Sequence, residues 1–160
     1  MQAAKDTFLM TLADRLAVVN PSRTVTLDGA SRPAVIAVEN ETPLPANAAL
    51  ETFLLNWEGA NRAAAEGSLM YVDCALSYGS EGTDSMLRTD RGRIVTAMDR
   101  ELLRLCEPCH AAKCDYTQTP PAALGTNIFW TWPVLEPPSE ESGILTRTAT
   151  VRLFFFPEVA

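Results

Sequence analysis

The segments SLMYVDCALSY at residues 68–78 and TDRGRIVTAMDRELLRL at residues 89–105 decide the fold. In the first, apolar side chains occupy every second position, which predicts a β-strand with one buried face: Met70, Val72, Cys74, Leu76 and Tyr78. In the second, apolar side chains recur every three or four residues, which predicts an amphipathic helix over residues 90–105: Ile94, Met98, Leu102 and Leu105. Such a helix needs a sheet to pack on, so the strand and the helix are predicted to form one packed unit.

Elements of the same two kinds are predicted on both sides of this unit. An amphipathic helix over residues 3–19 ends at Asn20-Pro21, because a proline cannot continue the helical hydrogen bonds. The turn signal Asp28-Gly29 predicts a hairpin. The loop at residues 133–143 carries three prolines and three glutamates and is predicted to project from the body. The predicted strands are residues 23–27, 32–38, 50–57, 68–78, 113–117, 127–132 and 144–156. The sequence at residues 50–57 would also tolerate a helix.

This order of elements predicts an α+β fold with a mostly antiparallel β-sheet packed by two amphipathic helices. A chain of 160 residues with 47% hydrophobic content fits one domain, residues 1–160.

Charge and hydropathy exclude two classes of partner. The 13 Lys and Arg against 20 Asp and Glu give a net charge of −7, which offers no support for sequence-specific nucleic-acid binding. Asp6, Asp14 and Arg15 interrupt the N-terminal stretch that a signal peptide keeps apolar, and no apolar run approaches the ~20 residues of a membrane span. We therefore expect a cytosolic protein with reduced cysteines and no membrane partner.

The cysteines near the second helix allow three interpretations. Cys106, Cys109, His110 and Cys114 offer donor types that zinc prefers, although they lie within nine residues, whereas structural zinc usually joins two separated pairs. The string C-x-x-C-H at residues 106–110 also matches a haem attachment site, which requires export. We interpret the cysteines as small packing residues and expect no cofactor and no bound metal. A small zinc-binding domain that uses these four residues is the alternative.

The sequence contains no recognisable catalytic motif. His110 is the only histidine, and the paired carboxylates Glu140 and Glu141 lie in a polar loop that is expected to project into solvent, which does not favour a general-acid role. No phosphate-binding glycine loop or metalloprotease motif is present in the sequence. We therefore predict a protein that is not an enzyme and has no catalytic residues. A ligand pocket near Trp130 and Trp132 is the alternative from another class.

Aromatic residues outnumber what one small core requires. Trp130 and Trp132 are two residues apart and are predicted to share one sheet face, while Phe154 and Phe156 fall on the less buried face of the last strand. Exposed apolar surface of this kind indicates association with other subunits.

Several segments together resemble the tail terminator, or tail completion, proteins of long-tailed bacteriophages and related contractile injection systems. The resemblance rests on the order of elements across most of the chain. Its segments are the L-x-x-R-L kernel at residues 12–16, RTVTLDG, RPAVIAVENE, LMYVDCALSY, the loop into TDRGRIVTAMDRELLRL and the closing strand. The cysteine-rich helix end and the long loop at residues 133–143 depart from that pattern.

The resemblance implies a structural virion component, located in the tail or neck and assembled in the host cytoplasm. Its subunits form a hexameric ring that caps the head-proximal end of the tail tube and joins it to the neck protein, and in contractile tails also to the sheath protein. Exposed strand edges and the loops at residues 80–88 and 133–143 are expected to contact partners. A head-tail connector or neck protein of the same virion is the alternative. The predicted interface residues are Arg88, Trp130, Trp132, Glu136, Glu140, Glu141, Phe154 and Phe156.

Overall fold

The computed structural model describes residues 1–41, 44, 50–64 and 66–158, which include two α-helices and eleven β-strands. The helices are α1 (Gln2–Val19) and α2 (Arg91–Leu105). The strands are β1 (Thr24–Leu27), β2 (Ala30–Pro33), β3 (Val35–Ala37), β4 (Phe53–Trp57), β5 (Asn61–Arg62), β6 (Met70–Ser80), β7 (His110–Asp115), β8 (Ala122–Trp130), β9 (Val134–Leu135), β10 (Ser139–Glu141) and β11 (Ile144–Phe155).

The main sheet is mixed and has the strand order β3-β4-β6-β11-β8-β7. The strand β3 pairs parallel with β4, whereas each neighbour from β4 to β7 pairs antiparallel. At the centre, β6 and β11 pair from Ser80 opposite Leu145 to Met70 opposite Phe155. The strands β1 and β2 form a separate hairpin. The predicted α+β class and its two helices are confirmed.

Both helices pack on one face of the sheet. The alternating apolar residues of β6 and β11 point towards them and are fully or almost fully buried: Val72, Cys74, Leu76, Tyr78, Ala149, Val151, Leu153 and Phe155. The helix α2 lies over β6 and β11, while α1 contacts both outer strands, β3 and β7, so the sheet curls around α1. The buried helix residues include Phe8, Leu12 and Leu16 of α1 and Val95, Met98, Leu102 and Leu105 of α2. The prediction placed Ile94 in this stripe, but Ile94 is only half-buried and Val95 takes the core position.

The predicted strand at residues 32–38 is divided between two sheets. Its first part belongs to β2 and pairs with β1, and its second part is β3, which joins the main sheet. Pro33 ends the hairpin ladder because it has no N–H to donate. The backbone N–H of Ala34 then donates to the carbonyl of Arg23, and the chain turns into the main sheet.

The prediction that residues 133–143 project from the body is wrong. Val134 and Leu135 pair with Thr150 and Ala149, and β10 pairs with the start of β11, so the segment runs back along the edge of β11. Prolines exclude a central strand position but are tolerated on an edge strand. Here Pro137 and Pro138 separate two short strands and do not prevent pairing.

Candidate interaction surface

The face of the sheet opposite the helices carries a row of rings, which we call the aromatic row: Tyr71, Phe154, Phe129 and His110. The register places these residues side by side on β6, β11, β8 and β7. Directly opposed residues share a sheet face, so the four side chains lie on one surface. The rings of Phe129 and Phe154 stack with centroids 5.0 Å apart, and those of Phe154 and Tyr71 are 6.1 Å apart.

The aromatic row follows from strand alternation. Leu153 and Phe155 are fully buried beneath the helices, so Phe154 between them points the other way. Phe129 is 38% exposed and His110 is also exposed. Because α1 and α2 pack on the opposite face, neither helix covers this row.

An ion pair lies next to the aromatic row. Arg152 is opposite Asp73, and the guanidinium donates two hydrogen bonds of 2.7 and 2.8 Å to its carboxylate. These bonds lower the pKa of Asp73 and raise that of Arg152. The same guanidinium lies 4.0 Å from the ring centroid of Tyr71, a favourable cation–π geometry. Arg152 is thereby held flat against the sheet.

An open groove of about 500 Å³ adjoins this ion pair. Its walls are Asp73, Thr131, Trp132, Val134, Thr150 and Arg152. Trp132 is 54% exposed and Val134 is 68% exposed. The groove therefore extends the apolar surface of the aromatic row towards the edge of β11.

The two tryptophans predicted to share a face are separated. The strand β8 ends at Trp130, which is almost fully buried and donates from Nε1 to the carbonyl of Cys106 at 3.2 Å. The ring of Phe8 and the guanidinium of Arg15 each lie 5.2 Å from its ring. Trp130 is thus a core residue, whereas Trp132 lies beyond the strand in the exposed groove. The alternation rule fails here because the strand ends between them.

The end of the terminal strand is fixed by a buried lysine. Phe156, which is 40% exposed, follows β11, and its carbonyl accepts a 2.5 Å hydrogen bond from Nζ of Lys113. The same Nζ lies 3.2 Å from Glu158, which also binds the ammonium group of Met1. Burial acts to raise the pKa of Glu158, but its hydrogen bonds outweigh this effect and lower the pKa to about 2.

The loop at residues 80–88 exposes apolar side chains that the sequence prediction missed. Arg88 is paired with Glu81 at 2.6 Å and Asp84 at 3.0 Å, so its charge is neutralised within the loop. Leu87 is 86% exposed and Met86 is 45% exposed. Leu87 and Arg88 both have positive φ angles, of 47° and 62°, a strained conformation that exposes the side chain of Leu87 at the loop tip.

The three glutamates of the 133–143 segment are exposed. Oε1 of Glu140 accepts hydrogen bonds from the backbone N–H of Gly143 at 2.9 Å and from Arg91 at 3.5 Å. Glu141 of β10 lies opposite Ile144 of β11. The backbone N–H of Glu136 donates to the carbonyl of Thr148. All three lie along the edge of β11.

The structure does not bring the candidate zinc ligands together. Cys106 is buried in the core, where burial raises the pKa of its thiol to about 12. Cys109 is exposed and accepts a 2.8 Å hydrogen bond from Arg15, while His110 lies in the aromatic row on the opposite face of the sheet. Among the described residues, no three His, Cys, Asp or Glu side chains are placed to hold one metal ion. Arg15 also binds the carbonyl groups of Leu105 and Glu107, and so closes the end of α2.

No protein-family model matches the sequence, and no curated protein does so either. Within the described part of the chain, no helix is both long and apolar enough to cross a membrane.

Proposed function

We propose that this chain is a structural subunit of a phage-like tail, without enzymatic activity, that assembles with copies of itself into a hexameric ring. In this role it acts as a tail terminator, capping the head-proximal end of the tail tube and joining it to the neck. The aromatic row is the observation that carries the proposal, because a row of rings on a face without helices has the character of a contact surface. The α+β class, with two helices on one face of a sheet, is compatible with the family that the sequence resembles.

The composition of the surface supports a contact between subunits. The aromatic row, the adjoining groove and Phe156 offer aromatic side chains of the kind enriched in such interfaces. The net charge of −7 keeps separate subunits apart until specific contacts form.

One exposed loop suits contacts above or below the ring. Its strained tip at Met86 and Leu87 presents apolar side chains. We assign this tip to contacts with the tail tube protein, the neck protein and, in a contractile tail, the sheath protein.

Native mass spectrometry tests the proposal, carried out over a range of protein concentrations and followed by electron microscopy with purified tail tubes. We expect a species of six subunits that binds one end of the tube. A ring of six subunits that does not bind the tube end would instead identify a connector. A protein that is monomeric at every concentration and does not bind tubes would refute the proposal.

A further inference from the structure

The exposed face of α2 carries a line of arginines, which we call the arginine stripe: Arg93, Arg100 and Arg104. Their spacing of seven and four residues places them on one side of the helix. All three are exposed and make no ion pair or hydrogen bond with the residues that the structure describes. Eight of the other ten Lys and Arg side chains are in ion pairs, and Arg15 is bonded to the end of α2.

The acidic residues of α2 do not compensate the arginine stripe. Asp99 is bound by Arg147, and Glu101 is bound by Arg23. The two paired acidic residues of α2 therefore point towards the sheet and β1, and the three arginines remain on the outer side of the helix. Asp14 and Glu107 line a groove with Arg104, and Asp90 lies near Arg93, so acidic groups offset part of this positive charge at both ends of the stripe. In a chain with a net charge of −7, the stripe is still a surface suited to an acidic partner.

Exposed apolar side chains flank the arginine stripe. Val18 is 82% exposed and Leu103 is 40% exposed. Val18 also lines an open groove of about 430 Å³ between the ends of α1 and α2, together with Asp14, Arg15, Val19, Arg104 and Glu107. A complementary partner therefore presents carboxylates together with apolar side chains.

This chain carries such a surface on its opposite face. We call it the acidic edge, and it consists of Trp132, Val134, Glu136 and Glu141. Val134 lies opposite Thr150 and Glu141 opposite Ile144, on the side of β11 that points away from the helices. The side chains of Glu136 and Glu141 make no ion pair within the described residues, so they are available to a partner.

We propose that the arginine stripe of one copy receives the acidic edge of the next copy. Charge complementarity selects a second copy as the occupant, because both halves of the contact are present on one chain. The two surfaces lie on opposite faces of the subunit, so the contact is head-to-tail and generates a ring when the rotation between subunits closes. This inference rests on the proposed function and names the surfaces that would join the subunits.

Charge reversal on either surface tests the contact. We expect the double variant Arg100→Glu/Arg104→Glu and the double variant Glu136→Lys/Glu141→Lys each to weaken self-association by at least about tenfold, because like charges then face each other. A matched control is Arg62→Glu, an exposed arginine on β5 without an ion pair in the described part of the chain. Single Arg100→Glu must weaken association and Arg62→Glu must leave it unchanged. Thermal unfolding verifies that every variant folds.

Mixing the two double variants tests whether the arginine stripe of one copy meets the acidic edge of the next. Each variant alone opposes like charges, whereas each contact between the two variants opposes unlike charges. We therefore expect an equimolar mixture to assemble into a ring of alternating variants, detected by their different masses.

Three results would overturn the inference in different ways. Variants that assemble as well as the wild type would exclude these surfaces and leave the proposed function intact. Variants that fail alone and in mixture would show that the two surfaces do not meet each other. A wild type that never assembles would instead refute the proposed function, and with it this contact.

Discussion

Removing the carboxylate of Asp99 should loosen α2 from the sheet. Asp99 accepts a 2.6 Å hydrogen bond from the hydroxyl of Tyr78 and bonds of 3.1 and 2.8 Å from the guanidinium of Arg147. The side chains of Asp99 and Arg147 are only 14% and 18% exposed, and Tyr78 is buried. Through these bonds one helical residue is joined to both central strands.

The structure sets the size of the effect. Leaving a buried donor without its acceptor costs about 1–3 kcal/mol, and Asp99→Ala leaves the hydroxyl of Tyr78 and part of the Arg147 guanidinium in this state. Arg147 keeps a 2.7 Å bond to the carbonyl of Glu136, which limits the loss. We expect the free energy of unfolding to fall by about 3 kcal/mol, a decrease in Tm of about 6–12 °C for a chain of this length.

Urea unfolding of a double-mutant cycle measures this interaction. Arg147→Met removes the unpaired charge, so the double variant Asp99→Ala/Arg147→Met should lose less stability than the two single variants together, by about 1–3 kcal/mol. Asp84→Ala removes an exposed pair with Arg88 and serves as the control, with an expected loss below about 1 kcal/mol. An Asp99→Ala loss as small as that of the control would contradict the reasoning.

Three further predictions concern association, thiol chemistry and pH. Phe154→Ala should weaken association and cost only about 1 kcal/mol of stability, because it removes the ring contacts with Phe129 and Tyr71. Phe155→Ala should cost about 3–5 kcal/mol in urea unfolding, because Phe155 is fully buried. Similar stability losses would contradict the assigned faces. Cys109 should react first with a thiol reagent in the folded protein, because it is exposed. The thiols of Cys74 and Cys106 are buried and have raised pKa values. Four equal reaction rates would contradict this order. The lowered pKa of Glu158, about 2 against an unfolded value of 4.5, contributes stability that is present above pH 4.5 and is lost as the pH falls towards 2. Glu158→Gln should therefore flatten the acid side of the curve of Tm against pH, and an unchanged curve would contradict the contribution.

Local periodicity predicted those elements whose burial pattern is set by their own sequence. The alternation at residues 70–78 and the helical spacing at residues 90–105 correspond to β6 and α2, although Met70 is only half-buried. Period-two and period-3.6 patterns are properties of a single segment, so they can be recognised in its sequence without knowing which segments pack against it. The predicted strand at residues 127–132 was shorter than β8 and ran past its end, because alternation does not mark where pairing stops.

Pairing partners and side-chain surroundings could not be predicted in the same way. The proline-rich segment pairs with β11 because Ile144 and the residues after it return alongside, which depends on the three-dimensional path. The string from Cys106 to Cys114 resembles a metal site in the sequence, yet a turn and the start of β7 direct Cys106 into the core and His110 to the outer face. The aromatic row was missed for the same reason, since its four members come from four strands.

The position of α1 decides which kind of contact between subunits remains open. The sequence predicts exposed strand edges, but the structure covers them. The helix α1 lies along β7, where the backbone N–H of Cys114 donates to the hydroxyl of Thr7. The strands β9 and β10 cover the edge of β11. At the other edge, β3 is buried throughout. Protected edges oppose the addition of a strand from another chain. Association is therefore expected through faces: the helix side with the arginine stripe, and the opposite side with the aromatic row and the acidic edge. Because these faces differ in chemistry and point in opposite directions, head-to-tail stacking satisfies both, whereas a two-fold contact would bring like surfaces together.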